Sequence, residues 1–131
     1  MAEIDAAFVA DIKTVSALKA LVGAKVYAHE AGKDAIDSYI VVIPTTNQRG
    51  RFIQTAYGGT ARLSVYCYGR TKAKAESIGN AIITAYKSKN GSIGSGTATA
   101  TVEWIEISNA RLLYGPNNEF RYLVDLIVHY T

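Results

Sequence analysis

The apolar positions along the chain change period several times, and each change marks an element. Ile4, Phe8, Ile12 and Val15 recur at steps of four and three, which predicts an amphipathic helix over roughly the first twelve to fifteen residues. Thr14 or Ser16 is placed to cap a second short helical turn carrying Val15, Leu18, Leu21 and Val22, and Gly23 stands in the helix-stop position. Residues 25–28 read as a short strand and residues 29–38, with Gly32, Lys33, Asp34 and Asp37, as a surface loop. Residues 39–43 form a continuous apolar run closed by Pro44, a strand covered on both faces. Residues 45–51 read as a polar, flexible loop, residues 52–57 as an extended continuation, and Gly58-Gly59 as a bend or bulge. Residues 60–68 alternate cleanly: Leu63, Val65 and Cys67 face one way, Arg62, Ser64, Tyr66 and Tyr68 the other.

Gly69-Arg70-Thr71 ends that strand and starts a long helix with Ala75, Ile78, Ala81, Ile82, Ala85 and Tyr86 on its apolar stripe. Lys87 and Lys89 lie near its C-terminus, and Asn90-Gly91 stops it. The small, polar residues 92–101 read as a mobile loop followed by a Thr-rich lead into the final strands. Residues 103–114 and 119–131 are rich in β-branched and aromatic side chains and flank the turn-forming Gly115-Pro116-Asn117-Asn118, which predicts a hairpin. Phe120, Tyr122, Val124, Leu126, Val128 and Tyr130 share one face of the last strand, against Arg121, Leu123, Asp125, Ile127, His129 and Thr131 on the other. A strand apolar on one side and mixed on the other belongs at the centre of a sheet, with helices on the first face. The expected fold is α+β, a single domain over residues 1–131. It has a single mostly antiparallel, mixed sheet of about four to five strands, with two main helices packed on one face and the first helix open to a kink.

Composition adds one feature to this pattern. With 131 residues, 49% hydrophobic and 19% charged, the chain is long enough for a core and ordinary for a folded domain. Tyrosine is in excess, nine against three Phe and one Trp, which suits exposed strand faces or a protein interface. The net charge of +3 and pI near 9.0 are mild, and the basic residues are spread rather than gathered on one face. A single cysteine, Cys67, forms no internal disulfide and reads as a small buried hydrophobe. An acidic N-terminus and no long apolar run give the expectation of no signal peptide, no membrane span and synthesis in the cytoplasm. The glycosylation triplet Asn90-Gly91-Ser92 is discounted in that setting.

No catalytic constellation emerges. His29 and His129 are far apart, with one Cys between them, so no metal set is expected. His129 reads as an exposed or partly buried histidine near a terminus. Gly91, Gly94 and Gly96 lack the Lys-Ser/Thr and the helix that a phosphate loop needs. Glu103 and Glu106, an odd number of residues apart on a strand, are expected on opposite faces. Arg49-Gly50-Arg51-Phe52 is a short basic loop suited to phosphate or an acidic partner.

The order of short motifs carries a family resemblance. Ala20-Leu21-Val22-Gly23-Ala24-Lys25-Val26-Tyr27 closes a helical opening with a Leu-x-Gly-x-Lys-Val-Tyr step, and Ser38-Tyr39-Ile40-Val41-Val42 follows as a strand. Residues 61–70 form a Leu-x-Val-x-x-Tyr strand running into an Ala-rich helix, and residues 107–113 and 119–128 close the pattern. Over about residues 5 to 130 the chain resembles the tail-completion family of long-tailed bacteriophages, which includes tail terminator proteins. The turn at residues 115–118 and the absence of a Pro near the end of the first helix depart from the family pattern and leave the subgroup open.

The resemblance implies a virion protein of a siphovirus-like particle, assembled in the host cytoplasm and without enzyme activity or cofactor. It implies a homo-oligomeric ring, usually hexameric in the virion and able to stay monomeric until the tube templates it, between the tail tube protein and a head-completion or neck protein, with DNA passing through but not specifically bound. The interface candidates are Arg49, Arg51, Phe52, Tyr57, Tyr66, Tyr68 and Arg70. Other readings stay open: a basic nucleic-acid-binding module, another neck or minor tail protein, or a small enzyme for which no residues can be named.

Overall fold

The computed structural model of the chain describes residues 4–23, 25–28, 38–49, 59–87, 89–95, 98–114 and 120–130. Phe8 and Ile12, one turn apart and fully buried, hold α1 (Ile4–Ile12) against the sheet. The helix ends where the Thr14 hydroxyl donates to the Asp11 carbonyl at 2.7 Å. Helix α2 (Ser16–Val22) therefore starts without a side-chain cap: Val15 is its N-cap residue, and neither Thr14 nor Ser16 plays the expected part. Gly23 ends α2 at φ +62, with its amide donating to the Lys19 carbonyl at 2.9 Å, as its place in the sequence predicts.

Six strands form one mixed sheet in the order β1-β2-β3-β6-β5-β4, where β1 is Val26–Ala28, β2 Tyr39–Arg49, β3 Gly59–Gly69, β4 Gly91–Ser95, β5 Ala98–Tyr114 and β6 Phe120–Tyr130. Only β1 and β2 run parallel; every other pair is antiparallel. The predicted hairpin is β5–β6, and β6 lies inside the sheet between β3 and β5. Two segments differ from expectation. Strand β2 continues through Pro44 to Arg49, with a register shift between Pro44 and Thr46. A proline is tolerated there because β1 pairs only with Ile40–Val42, so β2 beyond them needs no donor on that side. The first half of the supposed mobile loop is strand β4, which pairs with Ala98–Val102 of β5. Ile93, 1% exposed, is the apolar anchor that makes a strand of these small residues.

Helix α3 (Lys72–Tyr86) is capped by Thr71, whose hydroxyl accepts from the Lys74 amide at 3.1 Å. It lies across β3 and β6, and α1 packs on the same face, so the helices cover one side of the sheet. The core between them holds Leu63, Val65 and Cys67 of β3 and Val124, Leu126 and Val128 of β6, all fully buried. Gly79 is buried in α3 because a Cβ there would collide with the Tyr122 ring on β6, so the helix approaches the sheet closely at that point. None of the helices among the described residues is long and apolar enough to cross a membrane.

Candidate functional site

Opposite the helices, the sheet carries a second set of side chains whose alignment follows from strand register. In antiparallel pairs, directly opposed residues bring their Cβ atoms close enough for large side chains to touch. Tyr39 on β2 opposes Tyr68 on β3, and their rings stack with centroids 4.4 Å apart and 11° between planes. Tyr66, two residues along the same face, lies 6.4 Å from Tyr68, and Tyr27 on β1 meets Tyr39 edge-on at 6.4 Å. The tyrosine surplus is thus gathered in part into one ladder across three strands. Beneath it Val41 and Leu123 flank Tyr66 in one row and are almost fully shielded, at 4% and 5% exposure.

Along the row that begins with Tyr39 and Tyr68, β6 contributes Arg121 and β5 contributes Leu113. The Arg121 Nε is buried without a hydrogen-bond partner, and among the described residues no carboxylate pairs with its guanidinium. Leaving a buried donor unmade costs free energy comparable to a lost hydrogen bond. Midway along the face the Ser64 hydroxyl donates to the Asp125 carboxylate at 2.8 Å. At the far end Thr60, His129 and Trp104 oppose one another on β3, β6 and β5. The Thr60 hydroxyl and His129 Nδ1 are 3.2 Å apart, and the Trp104 ring lies on His129 at 4.5 Å. Trp104 remains 46% exposed, the one large hydrophobic side chain so exposed among the described residues. A register shift between Val102 and Trp104 makes Glu103 a bulge residue, which interrupts the alternation expected to send Glu103 and Glu106 to opposite faces. Both side chains are exposed.

Catalytic chemistry has little to work with here. Ser64 donates to the Asp125 carboxylate rather than to a histidine, and His129 is engaged by Thr60 on the strand end away from it. Cys67 lies on the core side, and burial pushes its thiol well above the ordinary range, so it offers no thiolate. Among the described residues no three His, Cys, Asp or Glu side chains gather around a metal position. The open groove of about 370 Å³ between α2 and α3, lined by Val15, Ala17, Asn80, Ala81, Thr84 and Ala85, lacks the convergent polar groups that orient a ligand.

Of the residues singled out in the sequence, Tyr66 and Tyr68 lie together on the face that no described helix covers, the helix-free face, and Arg70 is exposed just beyond β3. Arg49 ends β2, and Arg51, Phe52 and Tyr57 lie outside the described residues, as do all but Ser38 of the loop expected at residues 29–38. The pattern overlooked Tyr39, Trp104 and Arg121. Tyr39 and Arg121 stand in register with Tyr68, which the sequence had singled out for an interface, whereas Trp104 stands in register with His129, which it had not.

Residues 6–130 match the family model described as tail completion protein gp17. No curated protein matches the sequence. Among solved structures, a chain from the virion of a native gene transfer agent particle superposes with a TM-score of 0.76, covering 98% of this chain and 94% of that one at 14% identity. At that identity the likeness shows a shared fold. With the family pattern spanning all but the ends, the chain belongs to the tail completion protein gp17 family and is a structural protein of a phage-type tail in the virion.

Proposed function

We propose that the protein assembles as a closed ring, six subunits around, on the end of the finished tail tube. There it stops tube growth and presents the surface that joins the tail to the head or neck. The whole chain acts as one domain, without catalysis or cofactor, and DNA passes through the ring without sequence-specific contact. The observation that carries the reading is the helix-free sheet face, where aromatic and arginine side chains are arrayed for contact. Such residues are enriched where proteins dock. A head-to-tail contact repeated around an axis closes into a ring when the rotation suits.

Arg49, Arg51, Phe52 and Tyr57 serve as docking residues toward tube or neck, and Tyr66, Tyr68 and Arg70 toward neighbouring subunits. Purified protein added to isolated tail tubes should form rings on tube ends by electron microscopy. Tubes that stay bare at saturating protein would contradict the proposal. Reversing Arg49 and Arg51 to Glu should abolish joining of tails to heads while thermal unfolding stays unchanged, and normal joining by that variant would remove this loop from the docking surface.

A further inference from the structure

Along β5 and β6 the two ends of the helix-free face carry opposite charge, while Arg62 of β3 shares the row of Ile127 and Glu106. At one end Arg121 sits between Tyr68 and Leu113 with its Nε buried and unsatisfied, and Arg111 is exposed one row away. At the other, Glu103 and Glu106 flank the exposed Trp104. None of these four charged side chains makes an ion pair among the described residues. Arg121 and the row of Glu106 are six residues apart along β6, and the row of Trp104 two further, a separation of roughly 20–26 Å at about 3.3 Å per residue. That is more than twice the screening length of about 8 Å at physiological salt, so the ends do not neutralise one another within one molecule.

The acidic end lies on β5 itself, whereas the Arg121 end lies on β6, β3 and β2 and reaches β5 through Leu113 and Arg111. Strand β4 pairs only with Ala98–Val102, so beyond them no described strand covers the outer edge of β5. Register shifts between Val102 and Trp104 and between Ile107 and Asn109 distort the backbone there, which discourages strand addition and leaves recognition to side chains.

Building on the ring proposed above, we infer that the acidic, Trp104-bearing end of one copy docks on the Arg121–Tyr68–Tyr39 corner of the next. A carboxylate from Glu103 or Glu106 meets the Arg121 guanidinium at its terminal nitrogens, and Trp104 covers the stacked tyrosines. The contact joins two different patches, so it propagates head to tail. Charge complementarity selects the partner as a second copy of this chain.

Two variants test this on isolated tail tubes: R121E, and the double variant E103K/E106K. R121Q serves as a milder companion should R121E fail to fold, with circular dichroism melting as the check. Each variant alone should lose rings on tube ends. An equimolar mixture of R121E with E103K/E106K should regain them, because alternating subunits restore an opposite-charge pair at every interface of an even-membered ring. Rings formed by each variant alone as by wild type would overturn this contact and leave the ring reading standing. Wild-type protein that forms no ring on tubes would overturn the ring reading itself. A mixture that stops at a two-fold dimer by sedimentation velocity would overturn the head-to-tail arrangement.

Discussion

Asp11 holds two donors at once, the Tyr86 hydroxyl at 2.7 Å and the Gly94 amide at 3.0 Å, and so ties α1 to α3 and β4. It is 9% exposed, and a buried carboxylate is tolerable only with such partners. Asp11→Ala strands both donors and should cost about 2–4 kcal/mol, read as a lower urea midpoint. Tyr86→Phe removes one donor and should cost about 1 kcal/mol. Burial first, then the hydrogen bond to Asp11, raises the Tyr86 phenol above its ordinary value near 10. A raised folded-state value means that this group's contribution is complete below pH of about 10 and declines as pH climbs from there toward the folded-state value. Wild-type stability should therefore fall in the alkaline range with a slope that Tyr86→Phe lacks; equal slopes in the two proteins would contradict the assignment. The sequence shows Asp11 only as a polar residue beside Ile12 on a helix stripe. Its partners lie 75 and 83 positions away, and no local pattern joins them.

At the scale of elements, α3 was legible because its stripe of Ala75, Ile78, Ile82 and Tyr86 repeats at the helical period and Thr71 offers a cap. Gly79 was not, since a glycine inside a helical pattern reads as a tolerated blemish. Only the approach to Tyr122 gives it a purpose. Gly79→Ala gains about 1 kcal/mol of helix propensity and collides with the Tyr122 ring, an overpacking cost of about 1–3 kcal/mol. The melting temperature should fall, and a rise would mean that α3 has room to lift from the sheet. Strand β3 was read correctly from strict alternation, and the β5–β6 hairpin from its paired runs. Strand β4 was hidden because Gly91-Ser92-Ile93-Gly94-Ser95 has linker composition. Burial of Ile93 and pairing with β5 override propensity there. The extent of β2 was missed for the opposite reason: Pro44 reads as a terminator, yet on a side where no described strand lies beside it, it interrupts nothing.

For the molecule as a whole, the division of the sheet into a helix-covered face and a helix-free face organises everything else. The core face was readable from apolar phase. The composition of the other face was readable as well, as a tyrosine excess and a mixed strand face. Which of those side chains adjoin was not, because the ladder of Tyr27, Tyr39, Tyr68 and Tyr66 depends on register between three strands. Trp104→Ala belongs at this scale: nearly half exposed and resting on His129, it should shift unfolding by no more than about 1 kcal/mol while weakening ring assembly on tubes several-fold. Assembly at wild-type level would take Trp104 out of the contact. The central claim, that the protein closes the tail and joins it to the head, is tested most directly by electron microscopy of particles made without it. The account predicts tails of uncontrolled length and no attached heads, and head-attached tails of uniform length would contradict it.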